Sequence, residues 1–197
     1  MHPRRTFILA LLASGSAGAD AATPDPMPPA DFGAHPASSI EWWYITGALE
    51  SAARTWGFQI TFFRAATGLG RDADAASSST FTARELVFAH AAVTDLEGRR
   101  LRHDQRIARS GFGIANAGVG QTRLVLRDWR LERDEDASGR SRYATVASSN
   151  SGGFAFRLAL QATQPVLQQG TGGVSQKGPR REQSSRYYSE PQLDARG

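Results

Sequence analysis

Short segments in which apolar and polar residues alternate recur along this chain, and they constrain its fold more than any other feature. In residues 56–63, the side chains of Phe58, Ile60 and Phe62 share one face. Adjacent residues of a strand point to opposite faces, so this period is typical of strands with one buried face. Beyond the first 21 residues, no ten-residue stretch has a convincing helical period. The pattern therefore predicts an all-β protein.

Seven strands are predicted, with turn-forming residues between several of them. The predicted strands span residues 40–49, 56–63, 85–95, 106–115, 124–133, 143–148 and 154–162. Glycine-containing pairs at 97–98 and 138–139 and a triplet at 151–153 have the residue types that favour strand reversal. Such a meander must close or pair its edges, so we expect an antiparallel β-barrel or a curved sandwich.

The chain divides into four predicted segments. Residues 1–21 are predicted to be an export signal, because Arg4 and Arg5 precede a short apolar run and small residues follow. The pair of arginines also fits a twin-arginine signal loosely, beside the ordinary secretory route. Residues 22–39 are a proline-rich, extended lead-in, residues 40–190 form the β domain, and residues 191–197 begin a second domain. We therefore expect a bacterial protein that is periplasmic or secreted.

The connection between residues 65 and 84 is the longest one predicted inside the β domain. It is rich in Gly, Ala, Ser and Asp. Loops of this length are either functional or simply unstructured. Two interpretations therefore stay open: a mobile flap over the mouth of a barrel, or an insertion without function.

Composition and missing motifs exclude several classes of function. The chain has no cysteine, and its net charge of +4 comes from 23 basic and 19 acidic residues. Acids and arginines are interleaved in residues 130–140, so there is no dense basic stripe and nucleic acid is not an expected partner. No two histidines have metal-ligand spacing, and no Gly-x-Ser-x-Gly or phosphate-binding loop occurs. We expect no metal, no cofactor and no transmembrane segment.

The string Glu41-Trp42-Trp43-Tyr44 is an unusual combination of residues, because two of the four tryptophans in the chain are adjacent in it. In a strand, one of the adjacent indoles faces inward and the other outward. Because apolar surroundings can raise the pKa of a carboxyl group, Glu41 is a candidate proton donor. The alternative is a core strand in which Glu41 lies at the start and pairs with an arginine.

His90 and Asp95 are the other candidate catalytic residues. His90 lies between Ala89 and Ala91, whose small side chains would leave space inside a barrel. It is therefore a candidate pocket base, or a residue that orients Asp95 or a ligand; the alternative is a core histidine bonded to backbone carbonyls. Asp95 precedes a Glu-Gly pair, so its alternative role is to form a turn.

Seven aromatic residues are candidates for binding an apolar ligand, because a small β-barrel encloses one elongated apolar molecule. They are Trp42, Trp43, Tyr44, Phe58, Phe62, Tyr187 and Tyr188. For the two adjacent tyrosines near the C-terminus, the alternative is a domain interface. A further alternative for the whole set is an inner face that is fully packed.

Five strings of uncommon residues carry a resemblance to a known family. They are residues 29–33 running into 41–44, residues 57–64, residues 88–95, residues 128–129, and residues 165–189 with the pieces 165–168, 172–173, 177–179 and 187–189. Together they resemble the hydroxyneurosporene synthases, or carotenoid 1,2-hydratases, and their wider AttH-like relatives, often labelled predicted secreted hydrolases. The resemblance covers residues 28–193.

The resemblance implies the first of two lipocalin-like (calycin-type) β-barrel domains, with the partner C-terminal domain missing beyond Gly197. It also implies a lipid, carotenoid or other polyene ligand and the addition of water to a C=C bond, a hydro-lyase reaction. The chain departs from the relatives at Phe81, where they tend to have Trp, and at Gln176, where they have a basic residue. The relatives carry a further Trp- and acid-containing motif in the second half.

Three functional interpretations therefore stay open. The first is a ligand-binding domain that assists hydration within an intact relative. The second is a true hydratase, in which Glu41 or His90 contributes to acid catalysis and aromatic faces stabilise a carbocation. The third is a structural half-domain with no activity alone, whose exposed surface contacts the partner domain.

Overall fold

A computed structural model describes residues 29–51, 53–69, 79, 81–180 and 183–197. In these residues the chain forms one 3-10 turn, Pro29–Phe32, and fourteen strands. The strands are β1 (Ile40–Ser51), β2 (Arg54–Ala66), β3 (Glu85–Asp95), β4 (Arg100–Arg109), β5 (Ala115–Ala117), β6 (Arg123–Leu126), β7 (Trp129–Glu135), β8 (Ser141–Ser149), β9 (Phe154–Ala162), β10 (Leu167–Gln168), β11 (Val174–Gln176), β12 (Ser184–Arg186), β13 (Tyr188–Ser189) and β14 (Leu193–Arg196). The all-β prediction is confirmed.

The strands assemble into two main antiparallel sheets. The first sheet is a meander with the order β1-β2-β3-β4, and the second has the order β14-β9-β8-β7-β6-β5. Two short ladders, β10 with β13 and β11 with β12, form the segment between β9 and β14. In the described residues, no strand pairing joins the two main sheets into a closed barrel. The curved sandwich is therefore the form that the fold takes.

The hydrophobic core lies between the two sheets. Alternate residues in the middle of β2 and β3 contribute to it, as the alternation predicts, and the second sheet supplies residues that include Trp129, Leu126 and Leu131. Phe62, Ile60 and Trp129 have no solvent exposure. Burying a side chain of this size contributes about 1.5–3 kcal/mol, so the sheets are held together by close packing of their inner faces.

Two of the predicted strands have the wrong bounds. The strand predicted over residues 106–115 ends at Arg109, because the chain turns where Gly111 and Gly113 have φ angles of 108° and 70°. The strand predicted over residues 124–133 is two strands, β6 and β7, which reverse at Arg127 with a φ angle of 60°. The turn consists of Arg127 and Asp128; aspartate favours turns, but without a glycine or proline beside it the signal is weaker than at the other reversals.

The glycine-containing turns are where the sequence predicted them. Gly98 lies between β3 and β4, Gly139 between β7 and β8, and Gly153 between β8 and β9. Gly139 and Gly153 have φ angles of 78° and 64°, which glycine adopts without strain.

The C-terminal residues belong to the sandwich. Residues 191–197 were predicted to begin a second domain, but β14 pairs antiparallel with β9 and forms an edge of the second sheet. The predicted export signal and the start of the lead-in lie outside the described residues, as does most of the connection between residues 65 and 84. Within the described part, no helix has the length and hydropathy to cross a bilayer.

Candidate functional site

A row of three aromatic side chains and one isoleucine, exposed at its two ends and half-buried in the middle, crosses the outer face of the first sheet. Strand register aligns Trp42 with Phe63, Phe63 with Phe88, and Phe88 with Ile107. The rings of Phe63 and Phe88 stack with centroids 4.6 Å apart. Trp42 is 39% exposed and Ile107 is 61% exposed. We call these four residues the aromatic row; large exposed apolar patches of this kind usually mark a binding surface.

A second row, two residues further along each strand, is polar. It consists of Tyr44, Thr61, His90 and Gln105, which the strand register also aligns. Side chains two residues apart on one strand face are about 6.6 Å apart, so this polar row lies directly beside the aromatic row. The His90 ring centroid is 5.7 Å from that of Phe63. The outer face therefore presents an apolar strip and a hydrogen-bonding strip side by side.

A phenol pair closes one end of this face. The hydroxyl oxygens of Tyr44 and Tyr187 are 2.6 Å apart, and the Tyr187 ring lies 6.4 Å from that of Trp42. The Tyr187 amide donates to the Gly173 carbonyl at 2.8 Å, and the Tyr187 carbonyl accepts from the Gln169 amide at 2.9 Å. Burial and the hydrogen bond with Tyr44 raise the pKa of Tyr187 well above its ordinary value.

A shallow cavity of about 170 Å³ lies beside the polar row. His90, His103, Gln59 and Gln105 are among the residues that line it. In the part of the chain that the structure describes, no group of three or more His, Cys, Asp or Glu side chains is arranged to hold a metal ion.

Glu41 lies in a network of ionic and hydrogen-bonded contacts centred on a buried arginine. The Arg64 side chain is 1% exposed, and its guanidinium contacts Glu41 at 3.0 Å and Glu85 at 2.5 Å. It also donates to the Ser38 carbonyl at 3.1 Å. The other donors to Glu41 are the His35 amide, at 2.9 Å, and the His35 ring, at 2.7 Å. These contacts favour the alternative in which Glu41 starts the strand and pairs with an arginine.

His90 and Asp95 lie apart from each other. His90 is exposed on the outer face, so it does not occupy the space inside the fold that the sequence interpretation gave it. Its neighbours Ala89 and Ala91 do face the core. Asp95 is at the end of β3, where it accepts a hydrogen bond from the Gly98 amide at 2.8 Å and pairs with Arg54 at 3.3 Å. Its contacts are those of a turn-forming acid.

The seven candidate aromatic residues separate into two groups. Trp42, Tyr44 and Tyr187 meet on the outer face. The others face inward: Phe58 and Phe62 are core residues, and Trp43 packs against the core. A ligand would reach these three only by separating the two sheets. The alternation of the tandem tryptophans is confirmed.

Tyr188 and the inward-facing Trp43 both contact the 3-10 turn that precedes β1. The Trp43 indole donates to the Phe32 carbonyl at 3.0 Å. Tyr188 packs edge-on against the Phe32 ring at 5.2 Å. Burial raises the pKa of Tyr188, and the Glu190 carboxylate raises it further. Tyr187 and Tyr188 thus serve opposite faces, as adjacent residues of an extended segment do.

Sequence reasoning missed three residues that organise the site, namely Phe63, Phe88 and Arg64. The signal for the two phenylalanines was present, because Phe63 continues the face of Thr61, and Phe88 alternates with core residue Ala89. Arg64 is two residues from core residue Phe62, so alternation already places it on the inner face of β2. Its partners come from three different segments, and the period carries no sign of them.

Comparison with known proteins agrees with this architecture. A protein-family model described as AttH-like matches residues 21–197. The crystal structure of a putative AttH from Nitrosomonas europaea is similar, with a TM-score of 0.70 and 38% sequence identity. The similarity covers 96% of this chain and 51% of that protein, so the chain spans about half the length of the solved relative. None of the curated proteins matches. With its lipocalin-like all-β fold and a match over most of its length, the chain belongs to the AttH-like family.

Proposed function

We propose that this AttH-like domain binds an extended apolar molecule, a lipid, carotenoid or other polyene, on the outer face of its first sheet. The observation that carries the proposal is the exposed aromatic row beside the phenol pair Tyr44–Tyr187. Aromatic faces provide large apolar contact area at a low entropic cost, because their side chains have few rotatable bonds.

Because the core is closely packed, the outer face is favoured over the interior as the binding surface. A ligand between the sheets would displace side chains such as Phe62 and Trp129, which have no solvent exposure. Displacing one buried aromatic side chain from a packed core costs about 3–5 kcal/mol, judged from its removal by mutation. Trp42 and Ile107, in contrast, already face solvent and gain contacts when a ligand covers them.

Assistance to acid-catalysed hydration within a longer relative is the finer part of the proposal. Of the three catalytic candidates, His90 is the one on the proposed binding face, beside Phe63 and Phe88. Aromatic faces stabilise a nearby cation, and an imidazole is a common general acid or base. We assign Glu41 and Asp95 to structural roles, because each is held by arginine and backbone contacts.

A second candidate function is a structural half-domain of a predicted secreted hydrolase, inactive alone. The observation that favours it is the length of the solved relative, about half of which this chain covers. In that case the aromatic row packs against another domain instead of a small molecule. Mixing this chain with a separately produced second half of the relative, followed by size-exclusion chromatography, tests this possibility. A complex that the Trp42→Ala variant weakens would favour it, and the absence of a complex would contradict it.

Binding is tested with diphenylhexatriene, a fluorescent polyene hydrocarbon. We expect saturable fluorescence enhancement and quenching of tryptophan emission on addition to the purified chain. The Trp42→Ala and Phe88→Ala variants should each weaken binding about 5- to 30-fold, because each removes about 1–2 kcal/mol of apolar contact.

Trp56→Ala is the matched control for this titration. Trp56 is also half-buried and lies on β2, but on the inner face and at the far end of the strand, beside Arg54. It should leave diphenylhexatriene affinity unchanged. Absence of saturable binding to the folded chain, or equal losses in the Trp42 and Trp56 variants, would overturn the proposal.

We also propose that the protein is exported to the periplasm or secreted, on the basis of the signal-like residues 1–21. Mass spectrometry of the protein from the periplasmic fraction of a bacterial host should show cleavage near residue 21. Full-length protein retained in the cytoplasm would contradict the proposal.

A further inference from the structure

We infer that the phenol pair Tyr44–Tyr187 is the polar anchor of the site and selects apolar ligands that carry a hydroxyl or carbonyl oxygen. The inference rests on the proposed binding of an apolar molecule to the outer face and adds the class of ligand. The expected ligand is an apolar chain with one oxygen-bearing end, held at the boundary between the aromatic and polar rows.

The hydrogen bond within the pair leaves one phenol proton free to bond to a ligand. Each phenol has one O–H donor, and the 2.6 Å separation of the Tyr44 and Tyr187 oxygens requires that one donates to the other. The receiving phenol then directs its own proton away from the pair. Both groups are phenols, which are protonated at neutral pH, so each carries a hydrogen-bond donor; burial and the contact with Tyr44 raise the pKa of Tyr187 still further.

The pair lies where the apolar strip ends. Trp42 and Tyr44 are two residues apart on the same face of β1, and the Tyr187 ring is 6.4 Å from the Trp42 ring. A chain lying along Trp42 and Phe63 therefore ends beside the phenol pair. Its polar end would meet the two hydroxyls at the edge of the sheet.

The position of Tyr187 is fixed before any ligand binds. Its backbone is held on both sides, by the Gly173 carbonyl at 2.8 Å and the Gln169 amide at 2.9 Å. Gly173 has a φ angle of 79°, which glycine accepts readily, so the turn that presents this carbonyl is built into the sequence. A preorganised donor costs little entropy on binding, which makes the hydrogen bond count toward affinity.

The oxygen requirement follows from desolvation. A hydrocarbon covering the pair would remove water from the outward phenol and leave it without an acceptor, which disfavours binding. A hydroxyl or carbonyl oxygen restores the hydrogen bond. One such bond corresponds to about a 3- to 10-fold difference in affinity between matched ligands.

The test is displacement of diphenylhexatriene by farnesol and by farnesene, two fifteen-carbon isoprenoid chains, of which farnesol carries a hydroxyl group and farnesene has a further C=C bond in its place. For the unmodified chain we expect farnesol to bind about 3- to 10-fold more tightly. The double variant Tyr44→Phe/Tyr187→Phe, which leaves no phenol proton at the pair, should reduce this ratio to near one without weakening farnesene. Tyr188→Phe is the matched control, because Tyr188 packs on Phe32 at the inner side, and it should keep the preference.

Each outcome bears on a different claim. Farnesene and farnesol binding with equal affinity to the unmodified chain, or a preference that survives in the double variant Tyr44→Phe/Tyr187→Phe, would overturn the anchor. Failure of both compounds and of diphenylhexatriene would instead refute the proposed binding function. Thermal melting of each variant identifies any loss that comes from unfolding, and farnesene affinity retained by the double variant shows that the face is intact.

Discussion

Arg64 carries a charge that is almost completely withdrawn from solvent, with a side chain only 1% exposed. Burying a guanidinium is tolerated when carboxylates and carbonyls surround it, and here Glu41 and Glu85 supply the opposite charges. The Arg64 guanidinium and the His35 amide together engage both carboxylate oxygens of Glu41. At the residue scale, the acid beside the tandem tryptophans is part of a structural ion network that links the lead-in to β2.

Replacing Arg64 with Met should lower the free energy of unfolding by about 3–5 kcal/mol, because it removes the buried cation that neutralises the partly buried carboxylates of Glu41 and Glu85. Glu41→Gln keeps the shape and removes one charge, so a loss of about 1–3 kcal/mol is expected. Urea unfolding measures both. Glu50→Gln, at the exposed far end of β1, is the control and should change stability by less than about 0.5 kcal/mol. A Glu41→Gln variant as stable as the unmodified chain would contradict the structural role.

His90 illustrates what alternation can and cannot predict. Val87, Ala89 and Ala91 face the core, so the two-residue period already requires His90 to face outward. The small neighbours indicated interior space only if they shared a face with the histidine, and they do not. The face on which a single residue lies could thus be predicted. The contacts of His90 with Phe63 and Phe88 could not be predicted, because they depend on strand register.

At the element scale, the lead-in is anchored to the second sheet before β1 begins. The Phe32 carbonyl accepts from the Trp43 indole at 3.0 Å and from the Thr122 hydroxyl at 2.6 Å. The Arg133 guanidinium lies 3.5 Å from the centroid of the Phe32 ring. Proline content predicted an extended lead-in, but these contacts join residues about 90 positions apart, which local sequence does not reveal.

Gly33 is the tightest point of this anchor. A β-carbon there would lie 2.5 Å from the Gly120 nitrogen and 2.6 Å from the Gln121 nitrogen, both backbone atoms. Gly33→Ala should therefore lower the free energy of unfolding by about 1–3 kcal/mol, through overpacking, in a urea titration. The control is Gly139→Asn, at a turn with a φ angle of 78° and open space around it, which asparagine tolerates. Equal stability of the Gly33 and Gly139 variants would refute the close approach.

The segment from β12 to β14 is held by a buried polar cluster. Glu190 accepts hydrogen bonds from the Ser141 hydroxyl at 2.5 Å and from the Tyr143 hydroxyl. Glu190→Ala leaves Tyr143 without its acceptor, so opening of the segment should increase by about 5- to 150-fold in amide hydrogen exchange of residues 184–196, as a cost of about 1–3 kcal/mol implies. Glu132→Ala, on the exposed side of β7, should leave exchange unchanged. Unaltered protection in the Glu190 variant would show that β14 pairing alone holds the segment.

At the scale of the whole molecule, stability should fall in alkaline solution. Burial raises the pKa of Tyr143, and so does the nearby Glu190 carboxylate; burial also raises the pKa of Tyr188 and Tyr187. A phenol whose folded pKa exceeds its unfolded value of about 10 stabilises the fold fully below that pH and loses this contribution as the pH rises above it. The free energy of unfolding should therefore decrease above about pH 10, less steeply in Tyr143→Phe.

Phenolate absorbance checks this prediction directly. The native protein should show a delayed rise in absorbance relative to the same protein in denaturant, because three of its four tyrosines resist ionisation while folded. Coincident titration curves for the folded and unfolded protein would contradict the burial of these hydroxyls.

The features of the whole molecule that the sequence predicted are those set by local backbone properties, and the features that it did not predict depend on pairing between distant strands. Alternation and glycine turns predicted the all-β class and the reversals at Gly98, Gly139 and Gly153, because these are local properties of the backbone. The choice of a sandwich over a closed barrel depends on pairing between distant edges, as with β14 and β9. The site itself arises when β1, β2, β3 and the Tyr187 segment come together, so its parts were visible but its arrangement was not.

If an apolar ligand binds the outer face of the first sheet, the core stays closed during binding. Two-dimensional NMR spectra of the folded chain during titration with farnesol distinguish this surface from the interior. We expect saturable shifts at Trp42, Tyr44 and Tyr187, with the resonances of Phe62 and Trp129 unmoved. Shifts concentrated at Phe62 and Trp129 would place the ligand between the sheets and refute binding on the outer face.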